Sequence, residues 1–405
     1  MTADQTLVIL GASLAGAKAA EGARQSGFDG RIVLIGDEET APYERPPLSK
    51  AVLRGEEPPD SSRVHPDGFY ADHDIDLRTD HADRIDPERR TVRLAGGDEV
   101  RFDSAVIATG AEPRALTVPG AELDGVLYLR SVGDSLRLQS AIRGASRVAV
   151  IGAGWIGSEV AASARQMGAD VVLVEPAPTP LYGVLGERIG GVFAKLHADH
   201  GVELRLGTGL RELRGTSQVD EIVLDDDRVE RADLVVAGVG VVPRTELAST
   251  AGLAIDNGIV VDQYLETSSA GIYAAGDVAS AWHPHYGRHI RVEHWANALN
   301  QGPTAGRNAT GPREAYDRLP YFFSDQYDLG MEYVGYAGKE DDVAIRGDLD
   351  GREFIAFWHR DGNVTAAMNV NVWDVVEDLK AIVGADRAAN LDRLTDPNVS
   401  LSELI

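Results

Sequence analysis

The sequence predicts an α/β protein with two Rossmann-like βαβ domains and a separate C-terminal α+β domain. Three observations carry this prediction. A pattern of apolar strand, Gly-rich turn, Ala-rich helix, second strand and acid starts at Leu7 and recurs from Val148. The two turns, opened by Gly11 and Gly152, are a domain length apart, well beyond the roughly 20–50-residue period of a solenoid. After Pro320 the character changes: aromatics become frequent and short strand-like runs appear.

The first unit opens with Leu7-Val8-Ile9-Leu10, followed by Gly11-Ala12-Ser13-Leu14-Ala15-Gly16. An Ala-rich stretch of helical character runs to about Ser26, and Arg31-Ile32-Val33-Leu34-Ile35 reads as a strand ending at Gly36-Asp37-Glu38. In the second unit Val148-Ala149-Val150-Ile151 is the strand and Gly152-Ala153-Gly154-Trp155-Ile156-Gly157 the turn. Ser158 to Met167 is helical, and Val171-Val172-Leu173-Val174 ends at Glu175. Ala105 to Gly110 is another apolar strand ending in a turn, and a related segment, Leu234 to Gly240, follows the second unit. Gly271 to Asp277 is a strand ending on an acid. Within 320–405, Glu353 to Trp358 reads as a strand and Val375 to Val383 as a short helix.

Composition narrows the function. The chain has 405 residues, 43% hydrophobic and 25% charged, an ordinary globular balance for two or three domains. No uninterrupted apolar run approaches the length of a membrane span. The N-terminal run from Thr2 to Thr6 lacks the basic start and apolar middle of a secretory signal, so a soluble, cytoplasmic protein is expected. A net charge of −25 argues against nucleic acid as a partner, since phosphate binding needs a basic surface; it reads as a solubility feature. There is no cysteine, which excludes a disulfide framework, Cys-ligated metal and a redox-active dithiol; no metal site is expected.

A Gly-x-Gly-x-x-Gly turn between strand and helix suits a dinucleotide. The first Gly permits the tight turn, the second lets the pyrophosphate approach the backbone, and the third lets helix and strand pack closely; the helix N-terminus faces the phosphate charge. Gly152, Gly154 and Gly157 fit fully. Glu175, at the end of the next strand, is placed to hold adenosine ribose hydroxyls and to repel a 2′-phosphate, so this site should prefer NADH to NADPH. The N-terminal copy departs from the pattern. Ser13 replaces the second Gly, and Gly36 holds the strand-end position with Asp37 after it; Asp37 is assigned to an adenosine ribose all the same. Two such sites point to a flavin and a nicotinamide in contact, because two pyridine nucleotides have no obvious joint chemistry. Asp277 fits ribitol hydroxyls and also reads as a helix N-cap; the two roles are compatible.

These elements, in this order, resemble the FAD-dependent pyridine nucleotide-disulfide reductase superfamily, with its glutathione-reductase-like flavoprotein fold. Within it the chain closely resembles the NADH-dependent ferredoxin reductases of oxygenase and cytochrome P450 systems, the family of putidaredoxin reductase, biphenyl dioxygenase ferredoxin reductase and the rubredoxin reductases. The resemblance spans essentially the whole chain. It is most specific at 43–50 (YERPPLSK), 273–279 (YAAGDVA), 293–298 (EHWANA) and 321–328 (YFFSDQYD). The disulfide reductases place a Cys pair in the region of 43–50. This chain has Pro46-Pro47-Leu48-Ser49 there, so it looks like the branch in which electrons leave the flavin directly.

The resemblance implies an FAD-binding domain split between 1–114 and 245–319, an inserted NAD-binding domain at 115–244, and a C-terminal interface domain at 320–405. It places Lys50 near the reactive edge of the isoalloxazine, where a cation stabilises developing negative charge, and Glu159 near the nicotinamide, within reach of Lys50. Ala15, Asp37, Arg45, Ala82, Arg130 and Asp277 line the FAD site with the turn Gly11, Ser13, Leu14 and Gly16, and Trp295 lies against the flavin at the start of a helix. Trp155, Ile156, Glu175 and Gly240 line the NADH site with Gly152, Gly154 and Gly157. Taken singly, Lys50 reads as a solvated side chain, Trp295 as a core or interface aromatic and Glu159 as a helix-surface carboxylate. The expected activity is hydride transfer from NADH to FAD, then single-electron transfer to a [2Fe–2S] ferredoxin that supplies an oxygenase or cytochrome P450. Alternatives are a rubredoxin reductase, an NADH oxidase or quinone reductase without a protein partner, a monodehydroascorbate reductase, and a flavoprotein whose main role is protein binding, like apoptosis-inducing factor. A monomer or weak homodimer is expected.

Overall fold

Strands that are apolar on both faces need cover on both faces, and the runs opening at Thr6 and Arg147 are of this kind. A computed structural model describes residues 4–385 and 388–404. Residues 2 and 3 of the N-terminal run, and 386, 387 and 405 of the C-terminal region, lie outside the described residues. The contacts group the chain into two units. One runs up to Glu44 and takes in Asp60–Glu112 and Val242–Pro320; the other takes in Arg45–Pro59, Pro113–Val241 and the chain from Tyr321 onward.

In the first unit, Thr6–Leu10 is a central strand of a five-stranded parallel sheet. Its neighbours are Arg31–Gly36 and Ser104–Ile107, in register Leu7 to Ile32 and Leu7 to Ser104. Ile75–Thr79 and Ile272–Ala274 form the two edges. Leu7, Val8, Ile9, Ile32, Val33 and Leu34 are wholly buried in its core. The helix Leu14–Gln25 packs along the helix Trp295–Thr310 through small residues: a Cβ at Gly302 would stand 2.4 Å from the Ala15 carbonyl oxygen, and one at Gly306 2.0 Å from that of Ala19. The backbones touch at these points, which only Gly allows.

The second unit repeats the scheme. Arg147–Ile151 pairs in parallel with Asp170–Glu175 and Leu234–Ala237, and Glu203–Leu206 and Val126–Tyr128 complete the five strands. The helix Trp155–Gln166 follows the turn. The same unit contains a five-stranded antiparallel sheet in the order Tyr321–Gln326, Leu329–Gly335, Asn363–Val370, Glu353–Arg360, Asp342–Asp348, with the helix Val376–Val383 against it. Its inner side chains, among them Phe322, Met331, Tyr333, Phe354 and Met368, share a core with Ile189, Phe193 and Leu196 of the helix Tyr182–Asp199.

The expected strands and helices of both βαβ units and of the α+β region are all present. Three small three-stranded sheets come in addition, two antiparallel, Ala82–Asp86 with Thr91–Leu94 and Glu99–Arg101, and Leu210–Gly215 with Val219–Leu224 and Val229–Arg231, and a mixed one, in which Ile259–Val261 pairs in parallel with Ala279–His283 and Arg288–Ile290 antiparallel to it. Among the described residues no helix is long and apolar enough to cross a membrane.

Candidate functional site

Each Gly-rich turn has the local geometry that its chemistry requires. In the first unit Gly11 has φ +110, and a Cβ there would stand 2.2 Å from the Ala108 carbonyl oxygen. A Cβ at Gly16 would stand 1.9 Å from the Gly11 oxygen, so the third Gly is needed for the helix to leave the strand this closely. Ser13 sits at the N-cap, with Leu14 and Ala15 buried behind it. The displaced acid has a steric cause: a Cβ at Gly36 would lie 2.5 Å from that of Ala12, so a side chain is excluded there and the carboxylate falls to Asp37. Asp37 accepts a hydrogen bond from Arg244 at 3.2 Å, and Arg244 also approaches Glu112 at 3.6 Å. Sequence reading missed Arg244, which lies 207 positions from Asp37.

Within the same unit Gly276 (φ +79) brings the turn bearing Asp277 against the start of the first helix; a Cβ there would stand 3.0 Å from that of Ala15. The Gly276 amide donates to Gln301 at 2.9 Å. Trp295 opens its helix near Glu44, whose pKa burial raises against the opposing influence of Trp295. His294, immediately before it, is pushed down to about 4 by burial, against the opposing charge of Asp277. Ala82 starts an edge strand of a small antiparallel sheet, partly buried against the core of this unit.

In the second unit Gly152 (φ +95) would clash with the Gly238 carbonyl oxygen at 2.5 Å if it carried a Cβ, and Gly157 with that of Gly152 at 2.0 Å. Gly154 differs: nothing lies within 4 Å of the place its Cβ would take. The face over the helix start is therefore open where a pyrophosphate approaches, and the residues present fit a dinucleotide. Glu175 accepts from the Ala153 amide at 2.7 Å and the Ala177 amide at 3.0 Å, so its carboxylate is fixed beside the turn. Gly240 (φ +95) is likewise open, and Ile156 is exposed. Trp155 is half-buried, edge-on to Phe322 (centroids 4.7 Å apart) and Phe193 (6.1 Å).

The second unit also brings Lys50 and Glu159 together. Lys50 Nζ lies 2.7 Å from Glu159 Oε2, with the two side chains 13% and 5% exposed. The segment carrying Lys50 is pinned from two helices: Ser135, on Val132–Gly144, donates to the Leu48 carbonyl at 2.8 Å, and Ser163 donates to that of Ser49 at 2.6 Å. The Arg45 guanidinium donates to the Arg130 carbonyl, joining two more expected residues. Ser49 and Ser324 both donate to Glu159, and Asp325 faces Lys50 and Glu159, its pKa raised by burial. The charge of Lys50 opposes that shift. Of the residues expected at the FAD site, the Gly11 turn, Asp37, Ala82, Asp277 and Trp295 belong to the first unit, and Arg45, Lys50 and Arg130 to the second.

Residues 5–302 match the profile of the pyridine nucleotide-disulphide oxidoreductases. The chain belongs to that family. Residues 321–405 match a second profile, the reductase C-terminal domain, which accounts for the antiparallel sheet outside the βαβ units. Among family members, the chain is 37% identical over 410 residues to the ferredoxin--NAD(+) reductase component of the anthranilate 1,2-dioxygenase system of Burkholderia cepacia, covering 100% of both chains. The ferredoxin reductase for the CYP199A2 system from Rhodopseudomonas palustris superposes with a TM-score of 0.95 at 38% identity, covering 99% of each chain. Putidaredoxin reductase in its covalent complex with putidaredoxin superposes at 0.96 with 33% identity, covering 100% of this chain and 98% of that one. Unlike a disulphide-using oxidoreductase, this member has no cysteine.

Proposed function

We propose that the chain is an NADH:ferredoxin oxidoreductase that binds FAD. The observation that carries this reading is a family member with two dinucleotide turns, one of them complete, and no cysteine, alike over its full length to a ferredoxin--NAD(+) reductase. Bound FAD supplies what the protein lacks, a group that takes a hydride from NADH and passes electrons on singly to an iron–sulfur partner.

The remaining work falls to the chain. The Gly11 turn and its helix start hold the FAD pyrophosphate, Asp37, steadied by Arg244, takes the adenosine ribose, and Asp277 takes ribitol hydroxyls. The Gly152 turn holds the NADH pyrophosphate, and Glu175 the ribose. Arg45, Ala82, Arg130 and Trp295 are retained as FAD contacts, and Trp155, Ile156 and Gly240 as NADH contacts. Glu159 orients the Lys50 ammonium, which stabilises negative charge on the reduced cofactor. The domains follow as 1–114 with 245–319 for FAD, 115–244 for NAD and 320–405 as the interface domain. The partner is a [2Fe–2S] ferredoxin serving an oxygenase or cytochrome P450; the protein works in the cytoplasm as a monomer or weak homodimer.

Steady-state reduction of cytochrome c by NADH tests this. The expected rate is low with the FAD-loaded protein alone and rises at least tenfold when a [2Fe–2S] ferredoxin from an oxygenase system is added. Equal rates with and without a panel of ferredoxins and a rubredoxin, alongside fast oxygen or quinone reduction, contradict the proposal.

A further inference from the structure

The stretch 321–328 carries part of the resemblance, and through Ser324 it touches Glu159. Its strand, Tyr321–Gln326, presents alternate residues to each side. Phe322, Ser324 and Gln326 all point inward, and only Phe322 is apolar. Ser324 and Gln326 are each 1% exposed, and His197, on the helix Tyr182–Asp199, is wholly buried beside them. Three polar side chains at core positions are unfavourable unless their hydrogen bonds are made, and apolar residues would pack there at least as well.

Their bonds form one chain. His197 Nε2 lies 3.1 Å from Gln326 Oε1, Gln326 Nε2 lies 3.3 Å from Ser324 Oγ, and Ser324 Oγ lies 2.7 Å from Glu159 Oε1. The direction of every bond follows from the carboxylate at its end. Glu159 in its ion pair only accepts, so Ser324 donates to it; Ser324 then accepts from the Gln326 amide, and the Gln326 oxygen is left to accept from His197 Nε2–H. The other oxygen of Glu159 takes Lys50 and Ser49. Among the described residues His197 Nδ1 has no hydrogen-bond partner, and the ring lies edge-on to Tyr327 with centroids 5.7 Å apart.

We propose that Ser324, backed by Gln326 and His197, is a positioning residue that fixes the Glu159 carboxylate and through it holds the Lys50 ammonium in place. Ser49 and Lys50 share one oxygen of the carboxylate; Ser324 ties the other and removes its freedom to rotate away from Lys50. This rests on the reading of Lys50 as the cation serving bound FAD.

The test uses the FAD-loaded full chain and two readouts, neither involving ferredoxin. One is the limiting rate of flavin bleaching by NADH in anaerobic stopped flow, with its half-saturating NADH. The other is the flavin midpoint potential from titration with a mediator dye. Ser324→Ala is expected to lower the limiting rate about tenfold with half-saturation unchanged. It should also shift the potential negative by about 30 mV, which is a tenfold change in a two-electron equilibrium. In a Lys50→Ala background the same substitution is expected to add nothing to either readout, since the group it positions is gone. An unchanged potential and rate in Ser324→Ala, or full additivity with Lys50→Ala, overturns the proposal. If Ser324→Ala does not fold with FAD, Gln326→Leu is expected to move both readouts the same way by a smaller factor, and no movement overturns the proposal equally. Absence of bleaching in the unsubstituted protein would instead refute the FAD and NADH reading itself.

Discussion

Glu175 is held by two backbone amides, from Ala153 and Ala177, so its carboxylate stands fixed beside the Gly152 turn whether or not a ribose is there. A fixed negative charge discriminates against a 2′-phosphate without having to rearrange. Glu175→Ala is therefore expected to lower the ratio of NADH to NADPH kcat/KM by at least about tenfold, roughly 1.4 kcal/mol. An unchanged ratio removes Glu175 from the site. At this scale the sequence was legible where a residue's placement follows from its neighbours in the chain, as for Gly152 and Gly157 in the tight turn and Glu175 beside it. It was not legible where partners are far apart. Arg244 beside Asp37, and Ser324 on Glu159, carry no local signal, because an Arg or Ser in isolation reads as a solvated side chain.

The Gly turns as elements separate two reasons for having no side chain. Gly157 stands against backbone, so Gly157→Ala must displace the helix from the strand; overpacking of this kind costs about 1–3 kcal/mol. Its melting temperature should fall by several degrees, with NADH binding weakened as a consequence. Gly154 stands against nothing in the protein, at an ordinary negative φ. Gly154→Ala should leave the melting temperature of the ligand-free protein unchanged within about a degree and still weaken NADH binding about tenfold or more, the methyl group occupying the pyrophosphate's approach. Equal losses of stability in the two variants would contradict this division. The central strands of the two parallel sheets were legible as continuous apolar runs; the edge strands Ile75–Thr79, Val126–Tyr128 and Glu203–Leu206 were not. The three small sheets were not: segments such as Ala82–Asp86 and Glu99–Arg101 are short, charged and largely exposed, and their pairing comes from partners that the local pattern does not name.

For the molecule as a whole, two histidines set an acid limit, His197 wholly buried and His294 partly buried. His197 in one unit and His294 in the other are each pushed down to about 4 by burial. Above about pH 6.5 both are neutral in the folded and the unfolded chain and contribute no pH dependence. Below it the unfolded chain takes up protons that the folded chain refuses until about pH 4, so stability falls as pH drops through that window, by up to about 3 kcal/mol per histidine. Denaturant midpoints at pH 7 and pH 5 should show the fall, and His197→Gln should reduce the slope. A midpoint independent of pH in this range contradicts the neutral state of both rings. The two-fold repeat of the chain was legible because each copy is built from contiguous sequence. The grouping of 45–59 and of the chain from Tyr321 with the second repeat was not, since it depends on contacts between segments far apart in sequence. As a whole the molecule is expected to split a two-electron donor into single-electron deliveries. The most direct measurement is an anaerobic titration of catalytic FAD-loaded protein and excess oxidised [2Fe–2S] ferredoxin with known amounts of NADH. About two ferredoxins should be reduced for each NADH consumed, with no oxygen required. NADH consumed while the ferredoxin stays oxidised, or NADH not consumed at all, would contradict it.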